Sequence, residues 1–145
     1  MSTLNAPSLA AVADVGTEVR AFLEGYWKSL GTSSRDKCIP TSILLAAILR
    51  KRFGGNWKVM CGFYNPCQGR HMQEHCWVLE RAWDINVDLT GDQFAQEKVI
   101  VCRKADCPYE QGGTFLMVLS RFWKKELVPL ERAYQAHVEA GLVAA

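Results

Sequence analysis

No stretch of this chain reaches 18 consecutive apolar residues, so the sequence offers no membrane-spanning helix. A surplus of one charge is missing too. The 17 Lys and Arg stand against 15 Asp and Glu, a net of +2, and no long basic stripe forms. That balance gives no footing for nucleic acid or for an anionic membrane as partner. Internal repeats and low-complexity segments are absent. The N-terminal stretch has neither a basic leader nor a continuous apolar core, so it does not read as a secretory signal. The expectation is a cytoplasmic protein, or one exported without a cleaved signal. Histidine is scarce, with three residues in all, which keeps the list of candidate bases short.

What is present is the material of an ordinary core. The 145 residues fit one domain, and 49% of them are hydrophobic. A domain of this size buries roughly 68–70% of its unfolded surface and needs no covalent staples. The six cysteines, at 38, 61, 67, 76, 102 and 107, are therefore expected as thiols. If any pair, Cys61, Cys67, Cys102 and Cys107 are the candidates.

Residues 1 to 7 are small and polar and read as a loose end. From 8 to 30, Val12, Val15, Val19, Phe22, Leu23, Tyr26 and Leu30 recur at helical spacing, and residues 31 to 34 end the segment. The run from Thr41 to Arg52 is apolar almost all round, which predicts a buried central helix. Pro40 suits its first turn and Gly54-Gly55 its stop. Trp57 to Phe63 reads as a strand and 64 to 73 as a loop. Residues 75 to 80 and 83 to 89 read as a hairpin turning at Arg81-Ala82, and 98 to 102 as a further strand. Residues 114 to 141 are expected helical, divided by Pro129. Hairpins after helices imply α+β with an antiparallel sheet.

Three residues converge on one chemistry. Cys38 precedes the buried helix, where free amides and the macrodipole stabilise a thiolate. His75 opens a strand expected beside that helix. A two-residue turn at Arg81-Ala82 pairs His75 with Asp88, where a carboxylate can hold the imidazole tautomer. Asp84 lies on the same strand face as Asp88 and competes for that role, and a register slip would change the choice.

Cys38-Ile39-Pro40-Thr41-Ser42, then His75-Cys76-Trp77-Val78, then Asp88-Leu89-Thr90-Gly91-Asp92-Gln93-Phe94, resemble the transglutaminase-like branch of the papain-like superfamily. The resemblance spans residues 36 to 94. It implies a nucleophile at the head of a central helix packed on a small antiparallel sheet, with flanking terminal helices. It implies Cys38 as nucleophile, His75 as acid and base, Asp88 as orienter, and a thioester intermediate from an amide of a protein or peptide, with no metal or cofactor. Peptidase is the first expectation, and a glutamine deamidase or transglutaminase-type effector toxin the alternative. Papain-type enzymes use a Gln upstream of the nucleophile in the oxyanion hole. This chain has none before Gln68, so the Cys38 amide would contribute with a second donor left open. Trp27 is one candidate, with an indole N–H that would equally suit packing. Trp77 would wall the cleft or the core, and Gln93 with Phe94 would pack under the active-site loop.

Blander readings stand beside these. A cysteine before a buried helix is commonly a small core residue, and the chain could then be a binding module docking partners through Phe122, Trp123, Leu127, Leu130 and Tyr134. Asp88 could cap its own turn. Cys61, Cys67, His71 and His75 with Cys102 and Cys107 could hold zinc at loose spacing, which would remove His75 from the triad. The loop from Tyr64 to Glu74 is the expected substrate-facing segment.

Overall fold

The computed structural model describes residues 4–64, 73–94, 96–110 and 124–141. Two helices come first, α1 (Leu9–Ser29) and α2 (Cys38–Phe53). Five strands follow: β1 (Trp57–Tyr64), β2 (Gln73–Glu80), β3 (Ile85–Asp88), β4 (Ile100–Cys102) and β5 (Tyr109–Glu110). Helix α3 (Lys124–Glu139) closes the described chain. The architecture is α+β. The sheet is antiparallel in the order β4-β3-β2-β1-β5.

Local chemistry sets the helix ends. The Ser8 hydroxyl accepts from the Ala11 amide at 3.0 Å and caps α1. Gly54, at φ 67°, turns the chain out of α2, a conformation that favours glycine. Helix α1 buries Val12, Val15, Gly16, Val19, Leu23 and Trp27. Leu30, expected on that face, is exposed because the helix has already ended. Helix α2 buries eight of its residues, as its nearly continuous apolar run predicts. Both helices pack on one face of the sheet, against Trp57, Val59, Cys76, Val78, Ile85, Val87 and Leu89. Alternation sends Met60, Trp77 and Leu79 to the other face, where Tyr109 packs on them.

Several expectations are corrected. The turn between β2 and β3 holds four residues, 81 to 84, and not two. Glu80, itself buried, accepts from the Trp83 amide at 2.7 Å, and Asp84 takes a left-handed φ of 51°. These bonds draw Trp83 out of the strand and onto Trp57. Pro129 lies inside α3 without dividing it. Near the N-terminal end proline removes one backbone bond, and the packing of Leu127 and Leu130 holds the helix together. Strand β5, two residues long, has no periodicity to betray it in the sequence.

The cysteines also depart from expectation. Cys61 is paired with Cys76, and Cys102 with Cys107. The β1–β2 register sets Cys61 directly opposite Cys76, and a 3₁₀ turn at Lys104–Asp106 returns the chain from Cys102 to Cys107. Cys38 is the free cysteine among the described residues. Cys67 and His71 lie outside the described residues, as do Phe122, Trp123 and most of the loop from Tyr64 to Glu74.

Candidate active site

Cys38 is the first residue of α2, with Lys37 at the cap position. No side chain caps this end, and Pro40 has no N–H to satisfy. Helix geometry leaves the Cys38 and Ile39 amides without intrahelical acceptors, pointing outward beside the thiol. Cys38 itself is half-buried.

His75 Nε2 lies 2.7 Å from Asp88 Oδ2, with the two side chains 0% and 1% exposed. The contact is not the cross-strand pair that a two-residue turn implies. The ladder pairs Val78 with Val87 and Leu79 with Asn86, so continuing it sets Trp77 opposite Asp88 and His75 opposite Thr90. His75 meets Asp88 on the diagonal, a distance that aromatic side chains span.

Asp88 is held from every side. Its Oδ1 accepts from the Thr90 amide at 2.8 Å and the Thr90 hydroxyl at 3.2 Å. Its Oδ2 accepts from the Tyr109 hydroxyl at 2.7 Å as well as meeting His75. The turn-capping reading and the orienting reading are therefore both satisfied, by different oxygens. Asp84 is elsewhere: its Oδ1 accepts from the Lys104 amide at 2.9 Å. The structure brings Asp88, not Asp84, to His75.

With Nε2 occupied by Asp88, the other ring nitrogen is the one left for chemistry. Nδ1 is buried and makes no well-formed hydrogen bond. Burial alone would push the imidazolium pKa down. The hydrogen bond to Asp88, with a further contribution from the Cys38 thiol, outweighs it and raises His75 to about 9. The thiol is thus close enough to favour the charged ring.

The seven residues from Asp88 to Phe94 form one clamp. Phe94 sets its ring edge-on to His75, with centroids 4.8 Å apart. Gln93 Oε1 accepts from the Asp36 amide at 3.2 Å, gripping the left-handed turn (φ 59°) that leads into Cys38. That bond fixes the amide orientation and leaves Gln93 Nε2 buried and unpaired. Gly91 is required by space: a Cβ there would come within 2.8 Å of the Glu97 carbonyl and 2.6 Å of Ile100. Asp92 receives both terminal nitrogens of Arg20, at 2.9 and 2.7 Å. Arg20 also donates to the Leu89 carbonyl at 2.6 Å.

Trp77 does not wall a cleft. It is fully buried, stacked on Tyr109 with centroids 4.5 Å apart, and donates its indole N–H to Asn86 Oδ1 at 3.0 Å. Trp27 lines a cavity of about 240 Å³ together with Lys37, Pro40 and Thr41, residues that flank Cys38 in the chain.

Arg20, Asn86 and Tyr109 were not singled out from the sequence. Arg20 had a signal: it follows Gly16 by four and precedes Leu23 by three, so it lies on the buried stripe of α1. A charge there needs a partner. Asn86 lies on the same face as Asp88, a weaker sign. Tyr109 had none.

Among the described residues no group of three or more His, Cys, Asp and Glu is arranged to hold a metal ion. Cys61, Cys102 and Cys107, offered as zinc ligands, are instead spent in disulfides. Among these residues, too, no helix is long and apolar enough to cross a membrane.

Fold and site together define an α+β protein with a cysteine at a helix head and a buried histidine–aspartate pair beside it. No family model, curated protein or solved structure matches the chain.

Proposed function

We propose that this protein is a cysteine-dependent hydrolase of the papain-like, transglutaminase-like type, cleaving an amide bond of a protein or peptide. The observation that carries the reading is the His75–Asp88 pair. One ring nitrogen is committed to a fixed carboxylate, and the other is unclaimed and influenced by the Cys38 thiol.

The steps follow from that asymmetry. The Cys38 sulfur, as thiolate, attacks the amide carbon and forms a C–S bond, while negative charge gathers on the oxygen. The outward amides at the head of α2 stabilise that oxyanion. His75, charged at Nδ1, gives its proton to the departing nitrogen as the C–N bond breaks. A thioester remains. Neutral Nδ1 then takes a proton from water, whose oxygen attacks the thioester, and Cys38 leaves as thiolate. Peptide cleavage is the reading we adopt. Ammonia as leaving group would make the same cycle a deamidation, and an amine in place of water would make it a transfer.

The test begins with iodoacetamide. Cys38 should alkylate rapidly well below pH 8, and His75→Ala should slow it sharply. Reaction no faster than that of an ordinary thiol would remove the proposal in favour of a binding module. Next, a proteome is exposed to the protein and to Cys38→Ser. New fragments with the active form alone mean peptidase, a mass gain of about 1 Da at glutamine means deamidase, and cross-links mean transfer to amines.

A further inference from the structure

The mechanism above asks one group to do two opposed things. His75 must be charged to protonate a leaving amine and neutral to activate water. A buried carboxylate locked onto the ring favours only the charged form. Something has to weaken that hold, and the structure contains a group placed to do it.

Tyr109 donates its hydroxyl to Asp88 Oδ2, the same oxygen that meets His75 Nε2, at the same 2.7 Å. Two donors therefore share one oxygen. Its ring lies flat on Trp77, with planes 15° apart, and 6.0 Å from the ring of His75. Burial and the neighbouring Asp88 carboxylate push the phenol pKa far up, so Tyr109 stays neutral and remains a donor. The groups facing this cluster come from four elements: Cys38 on α2, Asp88 on β3, Tyr64 on β1 and Tyr109 itself on β5.

The chain takes a specific route to deliver this hydroxyl. Strand β4 lies at one edge of the sheet and β5 at the other. The crossing is made by residues 103 to 108, tied down at Cys102–Cys107 and by the Lys104 amide on Asp84. Tyr109 is the second residue after the disulfide. It pairs with Tyr64 through the backbone and packs on Met60, Trp77 and Leu79.

We propose that Tyr109 is a positioning residue that tunes the triad: by donating to Asp88 Oδ2 it fixes the carboxylate and offsets part of its charge, keeping His75 able to release its proton. This rests on the proposed thiol chemistry for its purpose. Its physical content, the tuning of His75 through Asp88, does not depend on Cys38 being a nucleophile.

The experiment is an NMR titration of the His75 imidazole in the full chain with its disulfides intact. Tyr109→Phe retains the stacking ring and removes only the hydroxyl. Asp88 then pulls harder on the ring, and the His75 midpoint should rise by about half a pH unit or more, a threefold change in proton affinity. Replacing Tyr109 by difluorotyrosine makes the phenol a stronger donor and should move the midpoint the other way. A merely structural tyrosine would move neither midpoint in an ordered direction. Unchanged midpoints, or shifts of the same sign in both variants, would overturn the proposal. If Tyr109→Phe fails to fold, the difluorotyrosine protein decides alone. Slow alkylation of Cys38 alongside the expected shifts would sink the hydrolase reading and leave the tuning in place.

Discussion

His75 reaches Asp88 along a diagonal of the sheet, and two rungs further on Trp77 reaches Asn86 along a parallel diagonal. Each side chain on β2 bonds the residue two places before its own rung partner on β3. The strand twist shortens one diagonal of an antiparallel pair, and both contacts use it. Two buried polar links of this kind hold β2 and β3 in a single register on the face that carries His75 and Asp88.

That geometry makes a prediction for Asp88→Asn. Asn offers one acceptor oxygen where Asp88 uses two. The Thr90 amide and hydroxyl claim one side. The other side would present an amide donor to His75 Nε2 and to the Tyr109 hydroxyl. The ring must then carry its neutral proton on Nδ1, facing the thiol, and can no longer accept the thiol proton there. Turnover should fall by roughly 10⁴-fold, as for the equivalent change in a serine triad. Asp84→Asn should leave the rate within a factor of about two, since Asp84 is held by the Lys104 amide at the far turn. The measurement is the initial rate on whichever substrate the proteome comparison identifies.

The His75 pKa of about 9 lies above the ordinary value of 6.5. A folded-state pKa raised in this way adds stability that is fully present below pH 6.5 and is lost as pH rises towards 9. Guanidinium unfolding at pH 6 and at pH 9.5 should show the difference, on the order of 3 kcal/mol for this group. In His75→Gln most of that difference should vanish. An equal pH dependence in the variant would place its origin elsewhere.

Arg20 should matter to fold and site together. It is buried in α1 and holds Asp92 and the Leu89 carbonyl, the two anchors of the clamp that begins at Asp88. Arg20→Ala should cost about 2–4 kcal/mol in denaturant unfolding, below the full figure for a buried pair because Asp92 is partly exposed. Arg20→Lys should recover little of it, since an ammonium cannot reproduce a two-nitrogen grip on a carboxylate. A loss under 1 kcal/mol would mean that the clamp is held by its other contacts.

The disulfides can be tested by peptide mapping without reductant. Cys61 and Cys76 should appear in linked peptides, and Cys102 with Cys107 in one closed loop. Cys61→Ser with Cys76→Ser should lower stability by about 3 kcal/mol, the loop-closure value for a separation near 15 residues. Full alkylation of all four cysteines in the untreated protein would contradict both bridges.

Much of the candidate site is legible in the sequence. Cys38 at the head of an apolar run, with Pro40 in the first turn, follows from local rules of helix entry. The period-two pattern of Ile85, Val87 and Leu89 assigns that strand a buried face and puts Asn86 and Asp88 on the other. Local patterning of this kind is written in neighbouring residues, so the sequence by itself determined the helices, most strands and the chemistry available.

Which residues touch was decided at longer range. A two-residue turn at Arg81-Ala82 would set His75 directly opposite Asp88. The contact exists, but the turn has four residues and the link is diagonal, so the pair was right while the register was not. Turn length depended on Glu80 capturing the Trp83 amide and on Arg103 donating to the Trp83 carbonyl, contacts that require the folded sheet. The Cys61–Cys76 bridge likewise follows from strand register and not from spacing. Tyr109 is the clearest case: a two-residue strand carries no periodicity, and its hydroxyl meets Asp88 only because the chain crosses the sheet between β4 and β5. The sequence determined which groups could do chemistry here. The tertiary structure decided which oxygen of Asp88 each donor shares, because a hydrogen bond depends on position to a few tenths of an ångström and local patterning fixes only direction.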